Sequence, residues 1–489
     1  MTADPEFYKA LGVSPRATGK QIKRAYFAAA RRLHPDANPD PDANEHFLAV
    51  QKAYEVLLDP KKRAAYDAEF QSVNEPFNYQ LTFSSPTLFR LEEPQVVYVL
   101  LDLTVKSTQP SGPKSSLNIC LVIDRSTSMK GARMDTVKAG AIQFVKRLAR
   151  RDYFSVVAFS DRAELVIPAA PAAQLGKLID RISLLNTFGG TEIYYGLAAG
   201  LAQLQKPMSK RTVNHLILIT DGHTYGDEEK CLELARRAAD EGIVISALGI
   251  GSEWNDDFLD RLAGLSGGRS VFISAEQNLN DFIDGYIQTL GIVDARQVQL
   301  RLDLSPGVTL RYGFRIAPEV SPLLGENSFR VGNLSSGCPQ TVLLELMINS
   351  IPPAQTDYKL AEIRLSGQLQ NDGVVREMMV SISQPIGTET VVVEPPKRIV
   401  EVLSRLRYYR LHEKARLELE QGNTEQATRR LKNLATHLIA QGERELAQIV
   451  LLEAERVREE RQFSRDGDKR IKYGTRGLLL PSGFEEELA

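Results

Sequence analysis

The pattern of hydrophobic and polar positions divides the chain into regions with different periods. Residues 5–70 show the three-to-four-residue spacing of amphipathic helices. Between residues 115 and 290, short apolar runs alternate with helical stretches, an order typical of a doubly wound α/β sheet. After Gly291 the period becomes two, and beyond residue 397 it is helical again. The pattern therefore predicts a multidomain protein.

The elements predicted for residues 115–290 are buried parallel strands joined by helices. The predicted strands are Leu117–Ile123, Phe154–Phe159, Leu216–Thr220 and Ile243–Ile250. The predicted helices are Met134–Arg151, Ile193–Gln205, Glu228–Glu241, Asp256–Ser266 and Leu279–Leu290.

Residues 297–388 are predicted to form a β-sandwich. Alternate positions from Val298 to Leu304 are apolar, which indicates a half-buried strand. Asn371-Asp372-Gly373 lies between two alternating runs and is a hairpin signal. Strand-like runs in residues 77–107 cannot bury a face alone, so we expect them to complete the sandwich. The α/β domain would then be inserted within a β domain.

The C-terminal region is predicted to be helical over residues 397–462, and the structure of the tail at 463–489 stays open. The breaks between its helices are Gly422-Asn423 and Gly442. The predicted helices are Ile399–Gln421, Glu425–Gln441 and Glu443–Arg461.

Composition narrows the class of protein without naming a function. The chain has 489 residues, of which 43% are hydrophobic and 25% charged, as in soluble globular proteins. Its net charge of -2 gives no reason to expect nucleic acid or a membrane surface as partner. No apolar run is long enough for a transmembrane segment, and the three cysteines form no CxxC pair. A reducing cytoplasm is the expected compartment.

A tripeptide in the first region is a candidate binding site. His34-Pro35-Asp36 follows a predicted helix, Lys20–Arg32, because proline cannot continue a helix. A second helix is expected at Glu45–Leu58, so the tripeptide would lie at an exposed turn between two packed helices. No acidic residue occurs between Glu6 and Asp36.

The preceding helix carries a stripe of positive charge that would steer an acidic partner. The alternative is an ordinary solvated helix beside a helix-ending turn. The basic residues of the candidate site are Lys20, Lys23, Arg24, Arg31 and Arg32.

Three spaced motifs in residues 5–70 resemble the J domain of DnaJ-type co-chaperones. They are the segment from Phe7 to Val13, the tripeptide, and the segment from Ala53 to Asp67. The resemblance implies that His34, Pro35 and Asp36 stimulate ATP hydrolysis by a DnaK-type (70-kDa heat-shock) chaperone and that the basic helix docks on it. The Gly/Phe-rich linker and zinc repeats of full DnaJ are lacking, so general client binding is not implied.

A second candidate site is predicted where strands of the α/β domain end. Ligands bind at the carboxyl ends of strands in such sheets, and oxygen-bearing residues follow two of the predicted strands. These oxygens suit Mg²⁺, with Mn²⁺ or Ca²⁺ as alternatives. The alternative is that the hydroxyls only cap helices and turns. The candidate ligands are Asp124, Ser126, Ser128, Thr191 and Asp221.

This set resembles the metal-ion-dependent adhesion site of the von Willebrand factor A domain. Asp124, Ser126 and Ser128 match its D-x-S-x-S motif, with Thr191 and Asp221 in the later positions. The resemblance implies a recognition site in which a carboxylate from another protein completes the shell of the cation. The overall order of regions is also similar to bacterial A-domain proteins of the calcium-activated chloride channel-like type, although no spanning segment supports a channel.

Three hypotheses of function follow. The first is a non-enzymatic co-chaperone adaptor that binds a carboxylate-bearing protein through Mg²⁺ and brings a DnaK-type chaperone to it. The second is a metal-dependent scaffold that assembles one specific complex. The third is a phosphohydrolase built around Asp124, which is disfavoured because Ser126 stands where that chemistry needs a second aspartate.

Overall fold

The structure is a computed structural model that forms two compact units, Met1–Pro76 and Phe77–Ala489. The residues that it describes are 6–13, 17–33, 43–60, 62–63, 76–106, 115–173, 175–209, 212–224, 226–273, 283, 293–318, 320–335, 338–352, 356–370, 373–387 and 394–478.

The first unit is helical, as predicted. Its described helices are α1 (Glu6–Leu11), α2 (Gly19–Leu33) and α3 (Ala43–Leu57). Ile22 of α2 is fully buried in a cluster with Val50 and Leu57 of α3. The rings of Tyr26 and Tyr54 stack with their centroids 4.0 Å apart, so α2 and α3 pack against each other. This small core holds the opposite face of α2 toward solvent.

The second unit begins with two strands and continues into the α/β domain. The two strands, β1 (Phe77–Phe83) and β2 (Gln95–Val105), pair antiparallel. The strands of the α/β domain are β3 (Ser116–Asp124), β4 (Tyr153–Phe159), β5 (Ala163–Pro171), β6 (Thr212–Thr220), β7 (Ile243–Ile250) and β8 (Ser270–Ile273). Its described helices are α4 (Ala132–Arg147), α5 (Leu175–Ser183), α6 (Ile193–Gln205), α7 (Glu228–Asp240) and α8 (Asp256–Gly264).

The sheet of this domain has the strand order β5-β4-β3-β6-β7-β8 and is parallel except at β5. All nine residues of β6 are buried, because helices cover both faces of the sheet. Helices α4 and α5 contribute to the core on one face, and α6, α7 and α8 to the core on the other. The doubly wound fold that the pattern predicts is confirmed.

Several details of this domain differ from the prediction. Strands β5 and β8 and helix α5 were not predicted, and β5 adds an antiparallel edge. Helix α4 ends at Arg147 rather than at Arg151, since Leu148 is extended and the Ala149 N–H donates to the Asp152 carboxylate at 2.8 Å. The predicted helix Leu279–Leu290 lies outside the described residues except for Ile283, which is buried.

The β-sandwich follows, and β1 and β2 belong to it. Its remaining strands are β9 (Ala295–Leu304), β10 (Val308–Ala317), β11 (Ser321–Pro322), β12 (Ser328–Leu334), β13 (Gln340–Ile348), β14 (Asp357–Leu369) and β15 (Val375–Pro385). One sheet has the order β1-β2-β13-β10-β11 and the other β12-β9-β14-β15. Because β2 pairs with β13 from Leu103↔Gln340 to Gln95↔Ile348, the α/β domain is an insertion in the sandwich.

The described part of the C-terminal region contains four helices, one more than predicted. They are α9 (Lys397–Glu420), α10 (Thr424–Ala440), α11 (Arg444–Glu460) and α12 (Arg465–Gly477). Gly422 and Gly442 follow α9 and α10 with φ values of 80° and 89°, the left-handed conformation that ends helices. Helix α12 occupies the region whose structure the sequence left open, and its N-cap Ser464 accepts a hydrogen bond from Gly467 N–H.

Helix α12 packs on the α/β domain through aromatic rings and buried ion pairs. The ring centroids of Tyr473 and Trp254 are 5.7 Å apart. The Arg476 guanidinium donates to the Asp260 carboxylate, and Lys472 pairs with the same group at 3.1 Å. These cations hold the pKa of the Asp260 carboxyl below its ordinary value despite its burial. Helix α12 is therefore anchored to the domain that carries the second candidate site.

In the described residues, no helix is both long and apolar enough to span a lipid bilayer.

Candidate functional site

The oxygen-bearing site lies where β3 and β6 end side by side. The two strands are parallel neighbours, with Ile123 of β3 opposite Ile219 of β6. Asp124 is the last residue of β3, and Asp221 follows directly after β6. Both side chains are fully buried. The two carboxylates therefore lie next to each other at the carboxyl ends of parallel strands, where ligands bind in such sheets.

Hydrogen bonds link four of the five predicted ligands. The Ser126 N–H donates to Asp124 Oδ1 at 2.8 Å, and the Oγ atoms of Ser126 and Ser128 lie 2.9 Å apart. The Ser128 hydroxyl donates to Asp221 Oδ1, also at 2.8 Å. The second oxygen of Asp124, Oδ2, accepts from the Thr220 hydroxyl at 2.6 Å. The loop after β3 is thus tied to the end of β6.

Thr191 reaches the same place from the segment before α6. It is buried, and a methyl group on Gly222 would lie 3.4 Å from its Oγ1 atom, so it packs against the loop that follows Asp221. Gly189 precedes it with φ of +78°, and a Cβ there would lie 2.5 Å from Asp161 Oδ2. The Asp161 carboxylate also accepts from the Gly190 N–H at 2.8 Å. A side chain at position 189 would be strained in its backbone and would have to displace the Asp161 carboxylate that accepts from Gly190.

The electrostatics of the site are those of two carboxylates removed from water. Burial, with a smaller contribution from the negative charge of Asp221, raises the pKa of the Asp124 carboxyl to about 6 against the hydrogen bonds from Thr220 and Ser126. The Arg133 guanidinium, from the first turn of α4, donates to Asp221 Oδ2 at 2.5 Å. Asp221 therefore has a counter-charge within the protein, whereas the described partners of Asp124 are neutral.

The residues present fit a hard divalent cation. Among the described residues, no group of three or more His, Cys, Asp or Glu side chains is placed to hold a metal ion. The site instead combines two carboxylates with the hydroxyls of Ser126 and Ser128, which hydrogen bonds bring together, and Thr191 packs against Gly222 beside Asp221. Such all-oxygen donor sets suit Mg²⁺ or Mn²⁺ with water completing the shell.

Sequence reasoning missed two residues of this site, Asp161 and Arg133. Asp161 follows β4 at the same edge of the sheet, so the rule that located Asp124 could have found it. No sequence signal marks Arg133. His223 is exposed beside the site, and His215 is buried within β6, where its Nε2 lies 3.4 Å from Ser246 Oγ.

The basic residues of the first candidate site all lie on α2 and are exposed. They are Lys20, Lys23, Arg24, Arg31 and Arg32. The helix contains no acidic residue, so its solvent side carries only positive charge. The tripeptide His34-Pro35-Asp36 lies outside the described residues, directly after the end of α2 at Leu33.

Three family models match separate parts of the chain. A family model of the DnaJ domain matches residues 6–67, and a model of the von Willebrand factor type A domain matches residues 118–285. The chain combines a J domain with a von Willebrand factor A domain. A third model, described as the Sll0103-like C-terminal alpha-helical domain, matches residues 397–481 and so covers α9 to α12. None of these three models describes an enzyme.

The relatives cover different parts of the chain. The uncharacterized protein sll0103 of Synechocystis sp. is 28% identical over 386 residues, which are 76% of this chain and 90% of that protein. Chaperone protein DnaJ 1 of Mycobacterium leprae is 56% identical over 64 residues, 13% of this chain and 16% of that protein. The similarity to the DnaJ protein thus covers a small part of its length.

A solved structure supports the fold of the larger unit. The von Willebrand factor type A structure from Catenulispora acidiphila aligns with a TM-score of 0.64 at 17% identity. The alignment covers 82% of this chain and 96% of that one. At this identity the likeness establishes architecture, and the A-domain site has to be argued from the residues of this chain.

Proposed function

We propose that the protein is a co-chaperone adaptor. Its J domain would recruit a DnaK-type chaperone and stimulate ATP hydrolysis by it, and its A domain would bind a protein partner through a divalent cation. The observation that supports the proposal is the presence of two recognition modules in one chain, namely a J domain and an A domain in which hydrogen bonds join four of the five oxygen-bearing residues.

The J-domain half rests on charge and exposure. Five cationic side chains stand in solvent on α2, and an acidic chaperone surface would be steered toward them and held in register. His34-Pro35-Asp36 follows this helix immediately, so a partner docked on α2 would meet the tripeptide.

The test of this half is single-turnover ATP hydrolysis by a DnaK-type chaperone with the full-length protein added. His34→Gln should lower the rate to that of the chaperone alone, because the imidazole of the tripeptide is lost. His46→Gln is a matched control, since His46 is exposed on α3 of the same domain. Full stimulation by His34→Gln would contradict the proposal.

The A-domain half rests on the chemistry of the site. A cation held largely through the hydroxyls of Ser126, Ser128 and Thr191 keeps much of its charge and attracts a further oxygen ligand. A carboxylate of a partner protein would supply that ligand. The buried carboxylates would position the cation, so that partner binding depends on it.

The test is capture of partner proteins on the immobilised full-length chain with Mg²⁺ and with EDTA, followed by identification of the proteins retained. Partners that bind through the cation should be lost in EDTA and also lost from Asp124→Asn in Mg²⁺, since this variant removes one buried negative charge without changing size. Partners retained under both conditions would remove the cation from the mechanism. A chain that holds its partner through the cation yet fails to stimulate the chaperone would favour the scaffold hypothesis.

A further inference from the structure

Arg133 enters the A-domain site from outside the five predicted ligands. It lies in the first turn of α4, five residues after Ser128 and 88 residues before Asp221 along the chain. Its Nη1 atom donates to Asp221 Oδ2 at 2.5 Å and to the carbonyl oxygen of Ser128 at 3.3 Å. The Asp221 side chain is 0% exposed, while that of Arg133 is 36% exposed. One end of this ion pair is therefore buried and the other reaches solvent.

The guanidinium occupies space that the fold leaves for it. A Cβ on Gly251, which follows β7, would lie 3.2 Å from the Cζ, Nε and Nη2 atoms of Arg133. The side chain thus lies between the end of β7 and the carboxylate of Asp221. Together with the contact to the Ser128 carbonyl, this packing fixes the guanidinium beside the loop that carries Ser126 and Ser128.

The two buried carboxylates need a positive charge beside them. Asp221 Oδ1 accepts from the Ser128 hydroxyl and Oδ2 from Arg133, so both of its oxygens are engaged. The described partners of Asp124 are the uncharged Ser126 N–H and Thr220 hydroxyl. A buried carboxylate without a counter-charge is costly, and a second one nearby adds repulsion. Arg133 supplies the positive charge that these two groups require.

We infer that Arg133 is an internal counter-ion that holds the site together without a divalent cation and competes with that cation for Asp221. The inference rests on the proposed cation site. A divalent ion that reaches Asp221, directly or through water, meets a fixed positive charge at the same carboxylate. Cation binding is weakened by this repulsion and requires the guanidinium to move toward solvent, where it is already partly exposed.

The competition is tested with Mn²⁺ as the probe, by counting free Mn²⁺ in electron paramagnetic resonance titrations of the full-length protein. Arg133→Gln should bind Mn²⁺ about ten-fold more tightly than wild type. The variant lacks a unit positive charge beside the site, and a charge at that distance changes a binding constant by a factor of about ten or more. Arg133→Lys keeps the charge and should stay near the wild-type affinity. Lys146→Gln removes one exposed positive charge from the last turn of the same helix and should change little.

The counter-ion role is tested without metal. Trp254 is the single tryptophan and is buried in the A domain, so its fluorescence reports unfolding of this domain. In EDTA, the melting temperature of Arg133→Gln should fall by roughly 3–6 °C. In Asp221→Asn the same substitution should have little further effect, since the charge that it pairs with is gone.

The outcomes separate this inference from the proposed function. Tighter Mn²⁺ binding by Arg133→Gln together with coupling to Asp221 in EDTA supports the inference. Equal Mn²⁺ affinity in wild type and Arg133→Gln overturns the competition, and additive melting shifts overturn the counter-ion role. If neither protein binds Mn²⁺, the cation site and with it the competition are refuted, while the double substitution in EDTA still decides the counter-ion role.

Discussion

The J domain and the A domain present their candidate sites in opposite ways. The basic residues of the J domain stand in solvent on one side of α2, and the hydrophobic cluster of the domain lies on the other side. In the A domain, Asp124 and Asp221 are fully buried and joined to residues from three other parts of the chain. One site is a pattern of charge on a helix surface, and the other is a network inside the fold.

This difference separates recognition from stability in one domain and couples them in the other. Exposed charges steer a partner and contribute little to folding, since water screens them. Buried carboxylates have to be compensated wherever they lie, so changing them affects the fold as well as the ligand. Substitutions in the J-domain site should therefore change binding alone, while those in the A-domain site should change both binding and stability.

The largest expected effect is on the pH dependence of A-domain stability in EDTA. Burial raises the pKa of the Asp124 carboxyl from 3.8 to about 6, so the folded protein holds a proton that the unfolded chain releases within this window. Stability should therefore fall as the pH rises from about 4 to above 6, by up to about 3 kcal/mol. Urea unfolding at each pH, followed by Trp254 fluorescence, measures the free energy of unfolding.

Asp124→Asn is the control for this prediction, because the amide does not titrate. The part of the pH dependence between about pH 4 and 6 that belongs to this carboxyl should vanish in the variant. If Asp124→Asn and wild type lose stability equally across that range, the buried carboxyl is not the source, and the contrast between the two domains loses its main support.

The next effect concerns the segment that carries Thr191. Gly189 and Gly226 have the same φ of +78°, but a Cβ at position 189 would lie 2.5 Å from Asp161 Oδ2, whereas a Cβ at position 226 would meet nothing within 4 Å. Gly226→Ala should cost about 1 kcal/mol of unfolding free energy from its backbone alone. Gly189→Ala should cost about 2 kcal/mol or more, because the clash adds to the backbone strain.

Urea unfolding of the two variants and their Mn²⁺ affinities measure this difference. Gly189→Ala should also bind Mn²⁺ more weakly than Gly226→Ala, since displacing the segment moves the Thr191 hydroxyl. Equal costs in the two variants would mean that the loop relaxes around the new methyl group and that the position of Thr191 is not tightly determined.

The smallest effect on stability is expected in the J domain. A triple variant reverses the charge of three exposed side chains at the start of α2. Its substitutions are Lys20→Glu, Lys23→Glu and Arg24→Glu. Chaperone binding should weaken by about ten-fold or more at low salt, and less at high salt. The unfolding free energy of the domain should change by no more than about 0.5 kcal/mol.

Titration of a DnaK-type chaperone checks the predicted loss of binding. Hydrogen exchange of the α2 and α3 amides checks the predicted stability of the domain. Lys52→Glu, an exposed position on α3, is the matched control. Loss of protection in α2 alongside loss of binding would show that charge and fold are coupled in the J domain as well.

Much of the fold was predictable from the sequence because it follows from local periodicity. The buried run that became β7 was predicted with the bounds that the structure has, Ile243–Ile250, and α6 likewise at Ile193–Gln205. Edge strand β5 was missed since its residues are mostly exposed or half-buried and lack a clear apolar pattern. Helix α12 was left open because its sequence is polar, and its buried cations find their partners, such as Asp260 on α8, only in the folded chain.

The sequence by itself determined the order of the regions, the cationic side of α2 and the spacing that places Asp124, Ser126 and Ser128 after a strand. These are properties of neighbours in the chain. The tertiary structure alone decided that Arg133 pairs with Asp221, that Thr220 donates to Asp124, and that the Asp161 carboxylate lies where a side chain at position 189 would be. The physical reason is that a buried charge is compensated by whichever group the fold brings within reach, and that group can lie 88 residues away.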